Sequence, residues 1–300
     1  MKTLEFRIEK LPDDPRLDKA IPLHRPELSR NVARKLIEGG AVYVNQKRCH
    51  QNGKTIALGD KVRVMIAEKE AEELPALEAS RILFENQDLI VVNKPPFLPT
   101  HETIDTSRFH LVLALQEFLG KRDKKKPTEI YLGIHHRLDR DTSGIILFTK
   151  RKEANAAVAQ AFQGREVQKT YIALSQGALA APVVLKSFLG PSARSKRVFA
   201  TVKKGGKYAE TTVRALETKK ISGKSISLVE AKPMTGRTHQ IRVHLAENGL
   251  PILGDATYGV AYPGAARVML HAWKLEVLGH TFRAPLPQDF RFLDFAEPRE

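Results

Sequence analysis

The 300-residue chain has one cysteine, one tryptophan and four methionines, and aromatic residues make up only 7 % of it. Cys49, standing alone, can form no intramolecular disulfide and no cysteine-rich zinc cluster, a usage that fits a reducing cytosol. No stretch approaches the ~18 apolar residues that cross a bilayer. The opening MKTLEFRIEK lacks the apolar core of a secretory signal, so a soluble, unprocessed, cytoplasmic protein is expected. There is no glycine-rich phosphate loop and no H-E-x-x-H pair. His239 and His244 stand five apart, not the four that puts two ligands on one helix face, so no metal is expected. Internal repeats and low-complexity tracts are also missing.

Positive charge is abundant. Lys and Arg number 49 against 34 Asp and Glu, a formal net charge of +15. Such a field concentrates polyanions, and nucleic acid is the expected partner. Residues 1–66 look like a small domain. Ser29 is a candidate N-cap for a helix over 28–38, with Val32, Ala33, Leu36 and Ile37 on one face, Arg30, Arg34 and Lys35 elsewhere, and Gly39-Gly40 as the stop. AVYVN (41–45) alternates as a strand, Gln46-Lys47-Arg48 reads as a basic turn, and GDKVRVMI (59–66) as a closing strand. Residues 67–80, rich in glutamate, read as an acidic linker.

From Arg81 to residue 300 strands alternate with short helices, predicting an α+β domain with a large mixed, mostly antiparallel sheet. RILFENQDLIVVNKP reads as two strands about a turn at 85–88, and Leu111 to Leu119 as a helix. KRDKKKP (121–127) reads as a solvated basic loop. In EANAAVAQAFQG (153–164), Ala157, Ala161 and Phe162 are spaced for one buried helix face, with Gly164 as the stop. TYIALSQ, KSISLVEAKP and KLEVL read as strands.

The most informative segment is HHRLDRDTSGIILFTK at 135–150: a turn dense in charge immediately before a wholly apolar strand, which puts Arg137, Asp139, Arg140 and Asp141 at the strand mouth. Two further polar clusters are REVQKTYIALS (165–175) and PMTGRTHQIRVHLAENGLPILGDATYG (233–259). Together with IVVNKPPFLPTH, GKYAETTVRAL, LHAWKLEV and RAPLPQDF, these ordered segments resemble the RluA family of pseudouridine synthases, enzymes that isomerise uridine within large-subunit ribosomal RNA and some transfer RNAs. The LSR, VxVN and GDxVxV elements of the first domain resemble the RNA-binding fold named after ribosomal protein S4.

The resemblance implies a pseudouridine synthase fold preceded by a small α/β RNA-binding domain. Asp139, in HRLD, matches the catalytic aspartate, Arg242, in HQIRVH, the arginine that pairs with it, and Tyr171, in KTYIALS, the tyrosine that stacks on the target uracil. Arg137 matches the residue that enters the stack vacated by the flipped nucleotide, and Leu270, in LHAW, an apolar residue that excludes water near the aspartate. Arg30, Arg34, Lys35, Asn45 and Lys47 are expected to face RNA. His136 is expected to contact backbone or RNA, and Lys94, Lys169 and Arg165 to serve as phosphate contacts or scaffold. RSKRVFATVKKGGK (194–207) resembles a family hairpin near the RNA. Because the isomerisation neither gains nor loses electrons, no cofactor is expected. A monomer acting on ribosomal RNA, with transfer RNA as the alternative, follows from the family. Phe97 departs from the pattern: it stands in KPPFLPTH where the family usually has glycine.

Other readings are weaker. Asp141-Thr142-Ser143-Gly144 resembles an aspartic-protease turn, but the second such turn is missing, since DTSR at 105–108 lacks the glycine. A noncatalytic RNA-binding protein on the same fold would not need Asp139, a carboxylate facing a polyanion.

Overall fold

The computed structural model describes residues 2–66, 77–101, 109–193 and 195–298. They fall into two compact units, one holding residues 2–66 and the other holding the rest. Most of the acidic linker, 67–76, lies outside the described residues, as does DTSR at 105–108. Leu77 already packs with Ile90 and Val92, and a 3-10 turn follows at Ala79–Arg81, so residues 77–80 belong with the second unit and not with a linker.

The first unit runs β1 (Lys2–Arg7), α1 (Leu17–His24), α2 (Arg30–Glu38), β2 (Val42–Val44), β3 (Lys47–Cys49) and β4 (Lys61–Ile66), with an antiparallel sheet in the order β1-β4-β2-β3. Ser29 Oγ accepts from the Val32 amide at 3.4 Å and starts α2 as the cap position predicts. Ala33 and Ile37 are buried against Val42, Val62, Val64, Leu17 and Ile21, which leaves Arg34 exposed on the opposite face. Strand β1 was not read from sequence, although Leu4, Phe6 and Ile8 alternate toward this core. The reversal falls at Asn45 and Gln46, with φ of 49° and 69°. Lys47 and Arg48 are therefore strand residues, not turn residues, a correction that follows from the tolerance of asparagine for the left-handed region.

The second unit contains β5 (Ile82–Glu85), β6 (Leu89–Lys94), α3 (Leu111–Asp123), β7 (Gly133–Ile134), β8 (Ser143–Thr149), α4 (Asn155–Gln163), β9 (Gln168–Gln176), β10 (Val183–Ser192), β11 (Ser195–Thr201), β12 (Lys207–Ile221), β13 (Lys224–Pro233), α5 (Gln240–Glu247), β14 (Leu270–Val277) and β15 (His280–Arg283). Nine of these strands follow the path β11-β10-β12-β13-β9-β14-β8-β6-β5, with β15 on β14 and β7 on β8. Every pairing is antiparallel except β14 with β8, so the class is α+β with a large mixed sheet.

Helices on both faces explain the unbroken apolar sequence of β8, every residue of which is buried. Ile145 and Leu147 pack with Val158 and Ala161 of α4, while Ile146 and Phe148 pack with Leu111, Leu115 and Leu119 of α3. The predicted α4 face needs one correction: Val158 and Ala161 are buried and Ala157 is exposed. Gly164 caps α4 in an ordinary right-handed conformation, and Arg165, at φ 60°, makes the left-handed exit. Lys121 to Asp123 continue α3, so the basic loop begins only at Lys124. Likewise 194–207 is not one hairpin. β11 pairs back on β10 through a turn near Ser192, and Lys207 opens β12 beyond a second loop.

Candidate active site

Asp139 sits on the turn that feeds β8, and buried polar groups hold that turn from three sides. Thr100 Oγ1 donates to Leu138 O at 2.9 Å and accepts from Leu138 N at 3.1 Å. Lys94 Nζ donates to Arg140 O at 3.0 Å, to Pro95 O at 2.8 Å and to Leu98 O at 2.9 Å. Arg267 Nη1 donates to Asp141 O at 3.2 Å while its Nε and Nη2 clasp the Asp289 carboxylate. Buried carbonyls need donors, and these three side chains supply them. Downstream, Gly144 at φ 112° lets β8 lie against β14, since a Cβ there would stand 2.2 Å from Ala272 O.

Lys94 corrects an expectation. It is 0 % exposed, and three carbonyls take its ammonium protons, so it is scaffold and reaches no phosphate. Burial is the main cause that brings its pKa down to about 7; the field of Arg267 works in the same direction and those of Asp139 and Asp141 oppose it.

Arg242 comes from the first turns of α5, a helix hidden in the polar run HQIRVHLAE. Its Nη1 donates to Asp139 Oδ2 at 3.1 Å, and its Nε and Nη2 make a bidentate pair with Asp255 at 2.7 and 2.8 Å. Burial opposes the guanidinium charge, but the bonds and field of Asp255, joined by those of Asp139, outweigh it and raise the pKa. Asp255 Oδ1 also accepts from the amides of Thr257 and Tyr258, at 2.9 and 3.1 Å. Burial alone would raise its pKa, yet Arg242 and those amides hold it below the usual carboxylate value.

A second link reaches Asp139 from the other side. Phe199 N donates to Tyr258 Oη at 2.8 Å, Tyr258 Oη lies 2.8 Å from His239 Nδ1, and His239 Nε2 is 3.8 Å from Asp139 Oδ2. With the phenol proton given to Nδ1, neutral His239 carries its own proton on Nε2, toward the carboxylate. Burial, first among the causes, lowers the His239 pKa and favours that neutral form.

Asp139, His239 and Arg242 open onto a pocket of about 500 Å³. Asp139, Arg242, Tyr171 and Leu270 all line it, and Arg137 and Arg237 stand at it too. Tyr171 is on β9, opposite Ala231 on one side and Ala272 on the other, small partners that leave room beside its ring. Burial chiefly, and then the charge of Asp139, raise its pKa, so the phenol stays neutral. Arg137 is exposed, with Nη2 3.4 Å from Thr238 Oγ1. His136 Nε2 accepts from Leu147 N at 3.0 Å and its ring stacks on Phe162, which makes it a backbone contact. Burial takes its pKa down to about 3, so it is neutral. Lys169 lines the pocket with its pKa lowered by burial, and Arg165 stands at it with an exposed side chain.

In the first unit Arg34 and Lys47 are exposed and Lys35 is half-buried. Arg30 holds the fully buried carboxylate of Asp18, with Nη2 at 3.0 Å from Oδ2. Asn45 is engaged at both ends of its amide, donating to Asp60 at 2.8 Å and accepting from Lys61 N at 2.9 Å. Both side chains therefore stabilise the unit itself.

Sequence gives Asp255 and Tyr258 no role, and places His239 only in the loop beneath the site. The signal present was the polar cluster at 233–259, but nothing in its spacing sets residue 255 against residue 242.

A carboxylate fixed by a guanidinium beside an aromatic plane, within a strongly basic chain, marks an enzyme that works on the nucleotides of RNA. Residues 88–247 match the family model of RNA pseudouridylate synthase, and residues 15–62 match that of the S4 domain. The chain belongs to the RNA pseudouridylate synthase family and, within it, resembles the RluA type; it is an RNA-modifying isomerase carrying an S4 domain. An RNA pseudouridine synthase of Aquifex aeolicus is 34 % identical over 266 residues, covering 86 % of this chain and 80 % of that one. Ribosomal large subunit pseudouridine synthase D of Neisseria meningitidis serogroup A is 32 % identical over 298 residues, covering 93 % and 77 %. The structure of human RNA pseudouridylate synthase domain containing 1 aligns with a TM-score of 0.56 at 28 % identity, over 75 % of this chain and 87 % of that one. No helix among the described residues is long and apolar enough to cross a membrane.

Proposed function

We propose that Asp139 is the carboxylate that acts on the target uridine and that the substrate is large-subunit ribosomal RNA. The observation that carries the first part is the 3.1 Å contact of Arg242 Nη1 with Asp139 Oδ2, in the pocket that Tyr171 and Leu270 also line. The reaction breaks the bond between ribose and uracil N1, turns the base and joins ribose to C5, whose hydrogen leaves as a proton while N1 gains one. Arg242 aims the carboxylate, a guanidinium being permanently charged. Tyr171 stacks on the freed uracil with its neutral phenol, and Leu270 keeps water from the reacting atoms. Arg137 takes the place of the everted nucleotide in the RNA stack. His239 presents an N–H to the carboxylate and limits its rotation.

The ribosomal substrate is supported by the names of relatives, ribosomal large subunit pseudouridine synthases C and D of Vibrio vulnificus and Neisseria meningitidis. The S4 unit, through Arg34, Lys35 and Lys47, adds phosphate contacts that extend the footprint. The protein works in the cytoplasm, a reading supported by the single cysteine, Cys49, being a buried free thiol, and the monomer belongs to the same proposal.

Replacing Asp139 tests the assignment. Asp139→Asn lowers release of tritium from RNA labelled at uracil C5 by at least about a thousandfold and leaves RNA affinity within a few-fold of wild type. Turnover at the wild-type rate would assign the chemistry to another group. Release from transfer RNA but not from ribosomal RNA would reassign the substrate.

A further inference from the structure

Away from the catalytic carboxylate, one face of β10 shows an apolar surface that nothing in the reaction uses. Val184, Lys186 and Phe188 alternate onto that face, and Phe188 is 54 % exposed. Register puts Phe188 directly opposite Tyr208 of β12, and the two rings meet edge to face with centroids 5.9 Å apart. An exposed phenylalanine in a sheet loses burial energy without a partner, and edge-to-face contact with one neighbour leaves ring surface open.

Cations stand near this pair along the chain. Val202 N donates to Phe188 O at 2.8 Å, and Gly206 lies so close that a Cβ on it would come within 2.9 Å of the Phe188 carbonyl. The loop between β11 and β12 is thus pressed onto the Phe188 backbone and carries the exposed Lys203 and Lys204, while Lys186, two residues before Phe188, shares its face of β10. Tyr208 is tied to the catalytic pocket, because its carbonyl accepts from Nε of Arg237 at 2.9 Å, and Arg237 lines that pocket. Acidic groups are present too: Glu210 accepts from the Tyr208 hydroxyl and lies 3.8 Å from Lys186 Nζ, and Glu247 accepts from Thr201 N at the start of the loop.

We propose that Phe188 and Tyr208 form a stacking platform for an unpaired base of the RNA strand leaving the pocket, so that a nucleotide near the target uridine helps select the substrate. This rests on the RNA substrate read above. A π-face flanked by lysines is the surface that single-stranded RNA requires, since bases stack on rings while phosphates meet the cations. A protein partner would need an apolar area larger than two rings and would meet the same lysines.

The test uses the full chain with Phe188→Ala, Phe188→Leu and Phe188→Trp. The substrate is large-subunit ribosomal RNA transcribed in vitro with tritium at uracil C5. Alanine and leucine each raise the RNA concentration for half-maximal single-turnover rate about tenfold, the rate at saturation stays unchanged, and tryptophan restores the wild-type value to within about twofold. Melting temperatures stay near wild type because the side chain is exposed. One abasic substitution near the target costs wild type the same factor and costs Phe188→Ala nothing further. The platform is wrong if alanine and leucine both behave as wild type, or if leucine keeps full affinity while alanine loses it, since that is apolar contact without stacking. If wild-type protein releases no tritium, the ribosomal substrate fails, and anisotropy with a single-stranded uridine oligonucleotide decides the platform. The same tenfold loss on alanine substitution sustains it, and an unchanged affinity overturns it.

Discussion

Asp255 shows how a residue without chemistry of its own sets the chemistry of another. Its side chain is 0 % exposed and accepts two bonds from Arg242, leaving Nη1 of the guanidinium for Asp139. Removing one charge from a buried pair strands the other, which typically costs about 3–5 kcal/mol. Asp255→Asn is therefore expected to lower unfolding free energy in urea by roughly 3 kcal/mol. It should also lower kcat about 10- to 100-fold with little change in KM, because a misaimed Arg242 releases Asp139 without touching RNA. Melts and steady-state kinetics on one preparation check both. Phe97 is the other residue that stands out. At φ 64° and 57 % exposed it occupies the left-handed region that glycine tolerates best. Left-handed backbone costs a residue with a Cβ about 1–2 kcal/mol. Phe97→Gly should raise stability by about 1 kcal/mol in the same melts, and a fall would show that the aromatic ring is holding the NKP loop.

Among the elements, β8 decides whether the site exists. Its strand is buried on both faces, and its first residues pair in parallel with β14, His271 opposite Ser143 and Ala272 opposite Gly144. That approach depends on Gly144 having neither a Cβ nor a preference for negative φ. Gly144→Ala is expected to destabilise the protein by about 2–4 kcal/mol and to abolish activity in the folded fraction, because the Asp139 turn would be displaced. Circular dichroism melts with tritium release check it, and a variant of wild-type stability would mean that β14 yields easily. Elements such as β8, α2 and α3 were legible because their apolar periods and the Ser29 cap depend on residues a few positions apart. Helix α5 was not, since its buried face includes Gln240, Arg242 and His244, polar residues that obscure the helical period.

Across the whole molecule, buried imidazoles couple folding to acid. His136 gives its Nε2 to the Leu147 amide and has a pKa of about 3, and His271, within 2.8 Å of Ser143 Oγ, has one of about 4. For both, burial is the main cause. Each pKa is depressed from the value of 6.5, so the unfolded chain binds more protons between that pH and the folded value. Stability is full above pH 6.5 and is lost as pH falls toward 4, by up to about 1.4 kcal/mol per pH unit for each histidine. Urea melts at pH 7 and pH 5 check the sign, and equal midpoints would mean that the two rings titrate alike in the folded and unfolded chain. The net charge of +15 acts at this same scale, drawing RNA toward the pocket before any contact is made.

The sequence by itself determined the two-part organisation, the strand behind HRLD and the polar clusters that carry Asp139, Tyr171 and Arg242. The organisation, the strand and the polar character of the clusters follow from hydrophobic period, turn chemistry and composition, which act between neighbours along the chain, while the three residues within the clusters were picked out by the family resemblance. Tertiary structure alone decided that Lys94 is a buried clamp and not a phosphate ligand, and that Asn45 and Arg30 brace the S4 unit. It brought Asp139 and Arg242, 103 residues apart, into the contact that the family resemblance implies, and it alone set Asp255 behind them. The physical reason is that a charged side chain in a polar run gives no local sign of its partner. Burial and pairing are fixed only when distant strands meet and the groups caught between them must find hydrogen bonds.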